Sequence, residues 1–394
     1  MTPLAVTDYT LVTALGAGRD ATLQALRDGR SGLKYRGFET ARHESWLGLV
    51  DGLDDIAWPD SLAASDCRNN RLAALGLAAD GFIDSVARAR QRFGADRVGV
   101  FLGTSTSGIL ETEQAYRRRD PASGALPPDL HYAETHNTYS VARYVRAVLN
   151  LQGPACVVST ACSSSAKVFG QAARLIELGL IDAAVVGGVD SLCLTTVYGF
   201  QALELVSPEI CRPWDARRKG LSLGEAAAFA LLERDALSPM AWLLGCGESS
   251  DGHHMSSPHP EGLGAVMAMQ QALAQAGRSA AEVAYVNQHG TGTPGNDAAE
   301  DRAMCSVFGT GTPCSSSKGY TGHTLGAAGG VEAAISMLAL RHGLLPAGLN
   351  VEQVDPALHC HYLLQTRQVA VDLVLSNSFG FGGSNASLLF GAVR

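Results

Sequence analysis

Short apolar runs closed by glycine or aspartate alternate along this chain with longer Ala/Leu-rich stretches whose apolar residues recur every three or four positions. Runs that short and that uniformly apolar suit strands buried on both faces, and the periodic stretches between them suit the covering helices. The pattern predicts an α/β fold. Candidate strands are 97–102, 155–159, 183–186, 284–287 and 373–376, and candidate helices are 71–89, 140–150, 165–180, 263–276 and 329–342. The Glu-Arg-Asp run at 233–235, followed by 237–239, interrupts the pattern and predicts a division into residues 1–237 and 238–394. Segment 120–128, with Pro121, Gly124, Pro127 and Pro128, predicts an exposed loop. No internal repeat is legible.

Composition narrows the class of partner. With 30 basic and 38 acidic residues the net charge is −8, so no overall positive field draws in nucleic acid or an anionic membrane. No apolar stretch reaches the roughly 18 residues of a membrane span, and the first residues lack the basic region of a secretory leader. The nine cysteines form no CxxC pair, which fits reduced thiols in a cytoplasm. Glycine is in excess, 44 of 394, and gathers beside polar residues as in backbone-lined active-site loops.

Four segments could carry chemistry. In Val157 to Ser165 an apolar strand runs through small residues into a helix, with Cys162 on the turn, where the helix dipole would lower a thiol pKa; the alternative is a buried, inert cysteine. In Tyr285 to Pro294 a strand ends at His289, which could move a proton or donate to an oxyanion, and Thr291 and Thr293 could hold a polar ligand arm; the alternative is a capping histidine. In Ser315 to Glu332, Lys318 and His323 precede an Ala/Gly-rich helix, and Glu332 could pair with Lys318; the alternative is a solvated turn. In Ser376 to Asn385, glycines follow Phe379 and Phe381, so that backbone N–H groups could face a substrate oxygen, or the rings could simply anchor the core.

The order Cys, His, Lys/His, Gly-Phe-Gly-Gly resembles the β-ketoacyl-acyl-carrier-protein synthases of type I/II. The likeness runs from Leu11–Gly32 through Cys211–Asp215, Gly224–Ala226 and Asp251–Pro258. It implies a thiolase-like fold, two βαβ-rich halves stacked as five layers α-β-α-β-α, usually as a dimer. It also implies roles. Cys162 would be the acyl-accepting nucleophile, and His289 with His323 would serve decarboxylation of a malonyl thioester. Lys318 and Glu332 would order the site, the N–H groups of Cys162 and Phe381 would form an oxyanion hole, and Phe381 would gate it. Thr291 and Thr293 would hold the phosphopantetheine arm of an acyl carrier protein. The chemistry asks for no bound cofactor and no metal, and His359-Cys360-His361, tempting as a ligand tract, lacks further ligands in the sequence.

Thr106 and Ser107 stand where the family has glycine and an aliphatic residue at the far end of the acyl pocket, which Phe379 is also expected to line. That departure suggests a specialised synthase of unsaturated or aryl-capped chains, the aryl polyene and polyketide branch. Arg68 and Arg71 stand where the family it resembles has its carrier-docking residues, whereas Arg117-Arg118-Arg119 reads as a solvated face. Three other readings have weaker support. A non-catalytic chain-length-factor subunit typically lacks the nucleophile, a degradative thiolase uses a second cysteine, and a cysteine hydrolase leaves Lys318 and the second histidine unexplained. The mate in the dimer could be a copy or a related ketosynthase or chain-length-factor subunit.

Overall fold

The computed structural model describes residues 1–236 and 238–393; Leu237, at the expected domain division, and Arg394 lie outside them. The main elements are β1 (Leu4–Thr13), α1 (Arg68–Ala78), α2 (Phe82–Phe93), β2 (Val98–Gly103), α3 (Ser140–Val148), β3 (Ala155–Val158), α4 (Ser164–Glu177), β4 (Ala183–Asp190), α5 (Leu194–Ala202) and β5 (Ala226–Glu233). They continue with β6 (Ala241–Ser250), α6 (Leu263–Ala276), β7 (Tyr285–Asn287), α7 (Pro294–Phe308), β8 (Pro313–Ser315), α8 (Ala328–His342), β9 (His361–Tyr362), β10 (Leu373–Gly380) and β11 (Ser384–Gly391).

The strands hydrogen-bond in the order β9-β8-β7-β10-β11-β6-β1-β5-β4-β2-β3. This path holds the same arrangement twice. In the first part β3, β2 and β4 are parallel, and β5 and β1 continue antiparallel. In the second, β8, β7 and β10 are parallel, and β11 and β6 continue antiparallel. The two parts join where β1 meets β6, pairing Leu4 with Leu243 and Val6 with Ala241.

Helices α4 and α8 lie side by side between the two parts of the sheet, each touching strands of both. Helices α1 to α3 cover the outer face of the first part, and α6, with α7 against it, covers that of the second. The result is the expected α-β-α-β-α stack. Burial follows from it: β2, β4 and β5 are buried along their whole length, and so is α8 from Ala328 to Leu340. A helix between two sheets has no solvent face, hence its Ala/Gly-rich, charge-poor sequence.

The predicted single helix over 71–89 is two helices. Asp80 and Gly81 between them take φ of 58° and 73°, and the Asp80 carboxylate accepts the Arg19 N–H, so the left-handed break is held by the strand–helix turn beside it. Segment 120–128 is an exposed loop, as predicted.

Candidate active site

The N-terminal ends of α4 and α8 converge, and the reactive side chains stand there. β3 turns into α4 through Ala161, whose φ of 53° makes the corner sharp enough to put Cys162 at the helix entrance. Leu325 repeats that corner before α8 with a φ of 54°, and His323 stands two residues ahead of it. The helices approach closely: a Cβ on Gly329 would lie 2.6 Å from the Ala166 backbone nitrogen. Gly380 serves the same purpose beside the nucleophile, where an added Cβ would lie 3.2 Å from the Cys162 nitrogen.

Cys162 Sγ lies 3.0 Å from His323 Nε2, and the Phe381 N–H also points at the thiol. The Leu325 N–H donates to His323 Nδ1 at 3.2 Å. His289, at the end of β7, meets His323 edge-on with ring centroids 5.3 Å apart. Buried Lys318 donates to the Glu332 carboxylate and to the His289 carbonyl, and its ammonium stands 3.3 Å from His289 Nδ1. Ser378 Oγ donates to the other Glu332 oxygen at 3.2 Å. An ammonium has only protons to offer, so His289 Nδ1 is an acceptor and that ring, too, carries its proton on Nε2.

Burial holds both histidines well below the ordinary imidazole range, and the Lys318 charge pushes the same way. They are neutral N–H donors at neutral pH. The Cys162 thiol, by contrast, is pushed up to about 11 by burial, which outweighs Lys318 and the Phe381 N–H. The expected lowering by the helix dipole therefore loses to desolvation.

A cavity of about 540 Å³, its mouth included, opens on these groups. Cys162, His289, His323, Thr291, Thr293, Phe379 and Phe381 all line it. The two threonine hydroxyls are 2.8 Å apart at its wall. The structure also brings in residues that sequence reasoning left out. Phe200 of α5 stacks on Phe381 at 5.6 Å, and Asn296 and Asn385 join the wall with Asp251 and Ser256 to Pro258. Glu300 of α7 accepts the N–H groups of His289 and Gly290, both at 2.8 Å, and burial raises its carboxyl to about 7. A sequence signal existed for it: Asp297, Glu300 and Asp301 share one helix face directly after the histidine loop, and buried carboxylates need donors.

Two sets of expected residues stand apart from this cavity. Thr106 and Ser107 are buried but do not line the cavity. Thr106 Oγ1 donates to the Asp190 carboxylate at 2.8 Å, and Ser107 Oγ donates to the Thr135 carbonyl at 2.9 Å. Their hydroxyls are spent on holding loops. Asp190 also accepts the Gly326 N–H and so ties this loop to the turn after His323. Arg68 and Arg71 are likewise engaged internally. Arg68 is clamped bidentately on Glu225 with its side chain only 10% exposed, and Arg71 is clamped on Asp66. Neither offers a free guanidinium to a docking partner. The Arg117 to Arg119 face is exposed, and Arg118 pairs with Asp129.

Among the described residues two groups bring ligand-type atoms together, Cys162 with both histidines, and Asp301 with Cys305 and Cys360. The first is accounted for by neutral N–H donors around a thiol.

A doubled βαβ stack with a cysteine and two neutral imidazoles at the meeting helix ends defines a thiolase-fold condensing enzyme. Residues 1–237 match the Beta-ketoacyl synthase N-terminal domain and residues 240–352 the Beta-ketoacyl synthase C-terminal domain. The chain belongs to the beta-ketoacyl synthase family. It is 34% identical to the mitochondrial 3-oxoacyl-[acyl-carrier-protein] synthase of Arabidopsis thaliana, with 98% of this chain and 93% of that protein covered. Among solved structures it is similar to a chain of the ketosynthase ApeO in complex with its chain length factor ApeC from Xenorhabdus doucetiae (41% identity, 99% and 98% covered, TM-score 0.91). A beta-ketoacyl synthase from Burkholderia phymatum is 32% identical over both whole chains, with a TM-score of 0.88. It is an acyltransferase of the 3-oxoacyl synthase kind. Among the described residues no helix is long and apolar enough to cross a membrane.

Proposed function

We propose that the chain extends an acyl group by two carbons, using Cys162 as the acyl carrier and the two histidines for decarboxylation. The observation that carries this reading is the pair of imidazole Nε2–H donors beside one thiol. Cys162 sulfur attacks the carbonyl of an acyl-carrier thioester, and the N–H groups of Cys162 and Phe381 hold the resulting oxyanion, at roughly 3–4 kcal/mol per well-placed donor. The carrier thiol leaves with the proton lost by Cys162. A malonyl-carrier thioester then enters. As its C–CO₂ bond breaks, the electron pair moves onto the thioester enolate, whose oxygen accepts from His289 and His323 Nε2–H. The carbanion attacks the acyl carbon, and the Cys162 sulfur departs as the leaving group.

The remaining residues fit supporting roles. Lys318 with Glu332 fixes the His289 ring. Thr291 and Thr293, on the cavity wall, hold the phosphopantetheine arm; it arrives on the substrate, and no cofactor resides in the protein. Phe381, resting on Phe200, gates the entrance. The halves 1–237 and 238–394 each contribute one of the two central helices, and the enzyme works in the cytoplasm.

Thr106 and Ser107 no longer argue for a specialised branch. Likeness over the full length to a chain of a ketosynthase–chain length factor complex supports it instead, with a related subunit as partner in the dimer. The cavity also presents Phe200, Phe379 and Phe381, whose faces suit a planar unsaturated or aryl-capped chain. A basic surface for the acyl carrier protein must be sought away from Arg68 and Arg71.

The test is intact mass after incubation with a panel of acyl-carrier thioesters, followed by malonyl-carrier, with the chain alone and with its partner subunit. Loading of the wild type but not of Cys162→Ala, discharged as a chain two carbons longer, is the expected result. Absence of loading in both settings overturns the reading.

A further inference from the structure

Away from the active site, the fold gives the His359-Cys360-His361 tract the ligands that the sequence did not show. Asp301 and Cys305 lie one turn apart on α7, and the turn before β9 lays Cys360 against them. One carboxylate oxygen of Asp301 and the sulfurs of Cys305 and Cys360 all lie within 4.8 Å of one another. His359 Nδ1 stands 3.3 Å from Asp301 Oδ2.

Two of the separations match the edges of a zinc coordination sphere. A tetrahedral zinc with bonds of about 2.3 Å to sulfur has an S···S edge of about 3.8 Å, and Cys305 Sγ lies 3.9 Å from Cys360 Sγ. With bonds of about 2.05 Å to nitrogen and oxygen the N···O edge is about 3.3 Å, the His359–Asp301 distance. Sulfurs at 3.9 Å are also far beyond the roughly 2.05 Å of a disulfide.

The surroundings are built accordingly. Asp301 Oδ1 accepts the N–H groups of His359 and Cys360, both at 2.8 Å, which fixes the carboxylate and leaves Oδ2 facing the imidazole. Cys314, next to Cys360 on the core side, donates to the His361 carbonyl. His359 is two-thirds exposed, which gives an ion a route in from solvent.

We propose that Asp301, Cys305 and Cys360 bind one zinc ion, with the exposed His359 imidazole turning in as the fourth ligand, a structural site independent of the condensing chemistry. A mixed S₂NO set suits zinc better than magnesium or calcium, which take oxygen ligands. Both cysteines lose their protons to solvent as the ion binds. The ion ties the end of α7 to the turn before β9. Glu300, which holds the His289 loop, is the residue before Asp301 on that helix, so the site braces the element that supports His289.

Metal analysis and cobalt substitution of the intact protein test this. One zinc per chain is expected, with near-ultraviolet thiolate-to-cobalt charge-transfer bands that persist in Cys162→Ala and vanish in Cys305→Ser and Cys360→Ser. The wild type is expected to melt higher with added zinc and lower after a chelator. Should the serine variants fail to fold, iodoacetamide labelling of the wild type decides. Protection of Cys305 and Cys360 that a chelator removes supports the site, and equal labelling with and without zinc overturns it. Three other results also overturn it: no bound zinc or cobalt, metal that leaves with Cys162→Ala, or a Cys305–Cys360 cross-link found as a mass lower by two hydrogens. None of these depends on whether the protein condenses acyl chains.

Discussion

The Leu325 N–H donates to His323 Nδ1 at 3.2 Å, and this bond decides what His323 can do to Cys162. With Nδ1 occupied as an acceptor, the ring proton is on Nε2, 3.0 Å from the sulfur. His323 is thus a donor to sulfur and to any oxyanion beside it, not the base that removes the thiol proton. His289, its Nδ1 facing Lys318, is constrained to the same tautomer. His289→Ala and His323→Ala are each expected to slow carbon dioxide release from malonyl-carrier by about 10²–10³, the cost of one oxyanion donor. Release at the wild-type rate in either variant would contradict the paired-donor role.

Lys318 and Glu332 form an ion pair with side chains 1% and 2% exposed. Removing one partner leaves the other charge buried. Lys318→Met is expected to cost about 3–5 kcal/mol in urea unfolding, and Lys318→Met with Glu332→Leu less than Lys318→Met alone. A double variant as unstable as the sum of the two would show that the pair is not coupled.

Arg68 presents the same physics in a residue expected to dock a carrier. Glu225 is fully buried and accepts from Val50 N–H, Leu192 N–H and the Arg68 guanidinium. Arg68→Ala is expected to lose about 3–5 kcal/mol of stability. At a temperature where the variant is folded, carrier affinity and its salt dependence should match the wild type. A selective loss of carrier binding with full stability would restore the docking role.

Acid should destabilise the protein through the two histidines. Their folded pKa values lie well below 6.5, so the unfolded chain binds more protons on acidification and ∂ΔG/∂pH is positive below about pH 6.5. Two such groups give a slope approaching about 2.7 kcal/mol per pH unit. Glu300 acts with the opposite sign: its carboxyl, raised to about 7, favours the folded state below about pH 4.5 and loses that contribution as pH rises to 7. Urea unfolding from pH 5 to 7.5 should therefore show a shallower slope in His289→Gln and a steeper one in Glu300→Gln. Unchanged slopes would mean that these groups titrate alike in both states.

Legibility divided along physical lines. The strands ending at Cys162 and His289 and the helices beginning near residues 164, 263 and 328 were visible because continuous apolar runs and helical spacing survive burial on two faces. β5 was not, since Ala226-Ala-Ala-Phe-Ala-Leu-Leu-Glu has a helix-former's composition and only its place in the middle of the sheet makes it a strand. The doubling of the chain was also hidden. The corresponding turns hold Cys162 in one part and Gly326 in the other, so equal backbones carry unlike residues. Of the site, the groups that do chemistry sit on strand ends and glycine-rich turns and could be read. Glu300 left a trace in the acidic face that follows the histidine loop, but Phe200 and Asp190 act through contacts made only in three dimensions, and nothing in the neighbourhood of Arg68 announces the distant Glu225.

The close approach of α4 and α8 offers the last prediction. A methyl group on Gly329 would stand 2.6 Å from the Ala166 nitrogen and 2.7 Å from its Cβ, so Gly329→Ala forces the central helices apart. Overpacking of this kind costs about 1–3 kcal/mol. Because Cys162 and His323 stand at the entrances of these helices, the separation should also lengthen their 3.0 Å contact and slow acyl loading. Ala166→Gly removes the methyl that the new one meets, at about 1 kcal/mol of helix propensity. Combined with Gly329→Ala, it is expected to restore part of the stability and of the loading rate, a non-additivity that the double-mutant cycle measures. The Ala166 backbone nitrogen stays 2.6 Å from the new methyl, so the rescue is partial; loading at the wild-type rate in a destabilised Gly329→Ala would show that helix spacing does not set the geometry of the nucleophile.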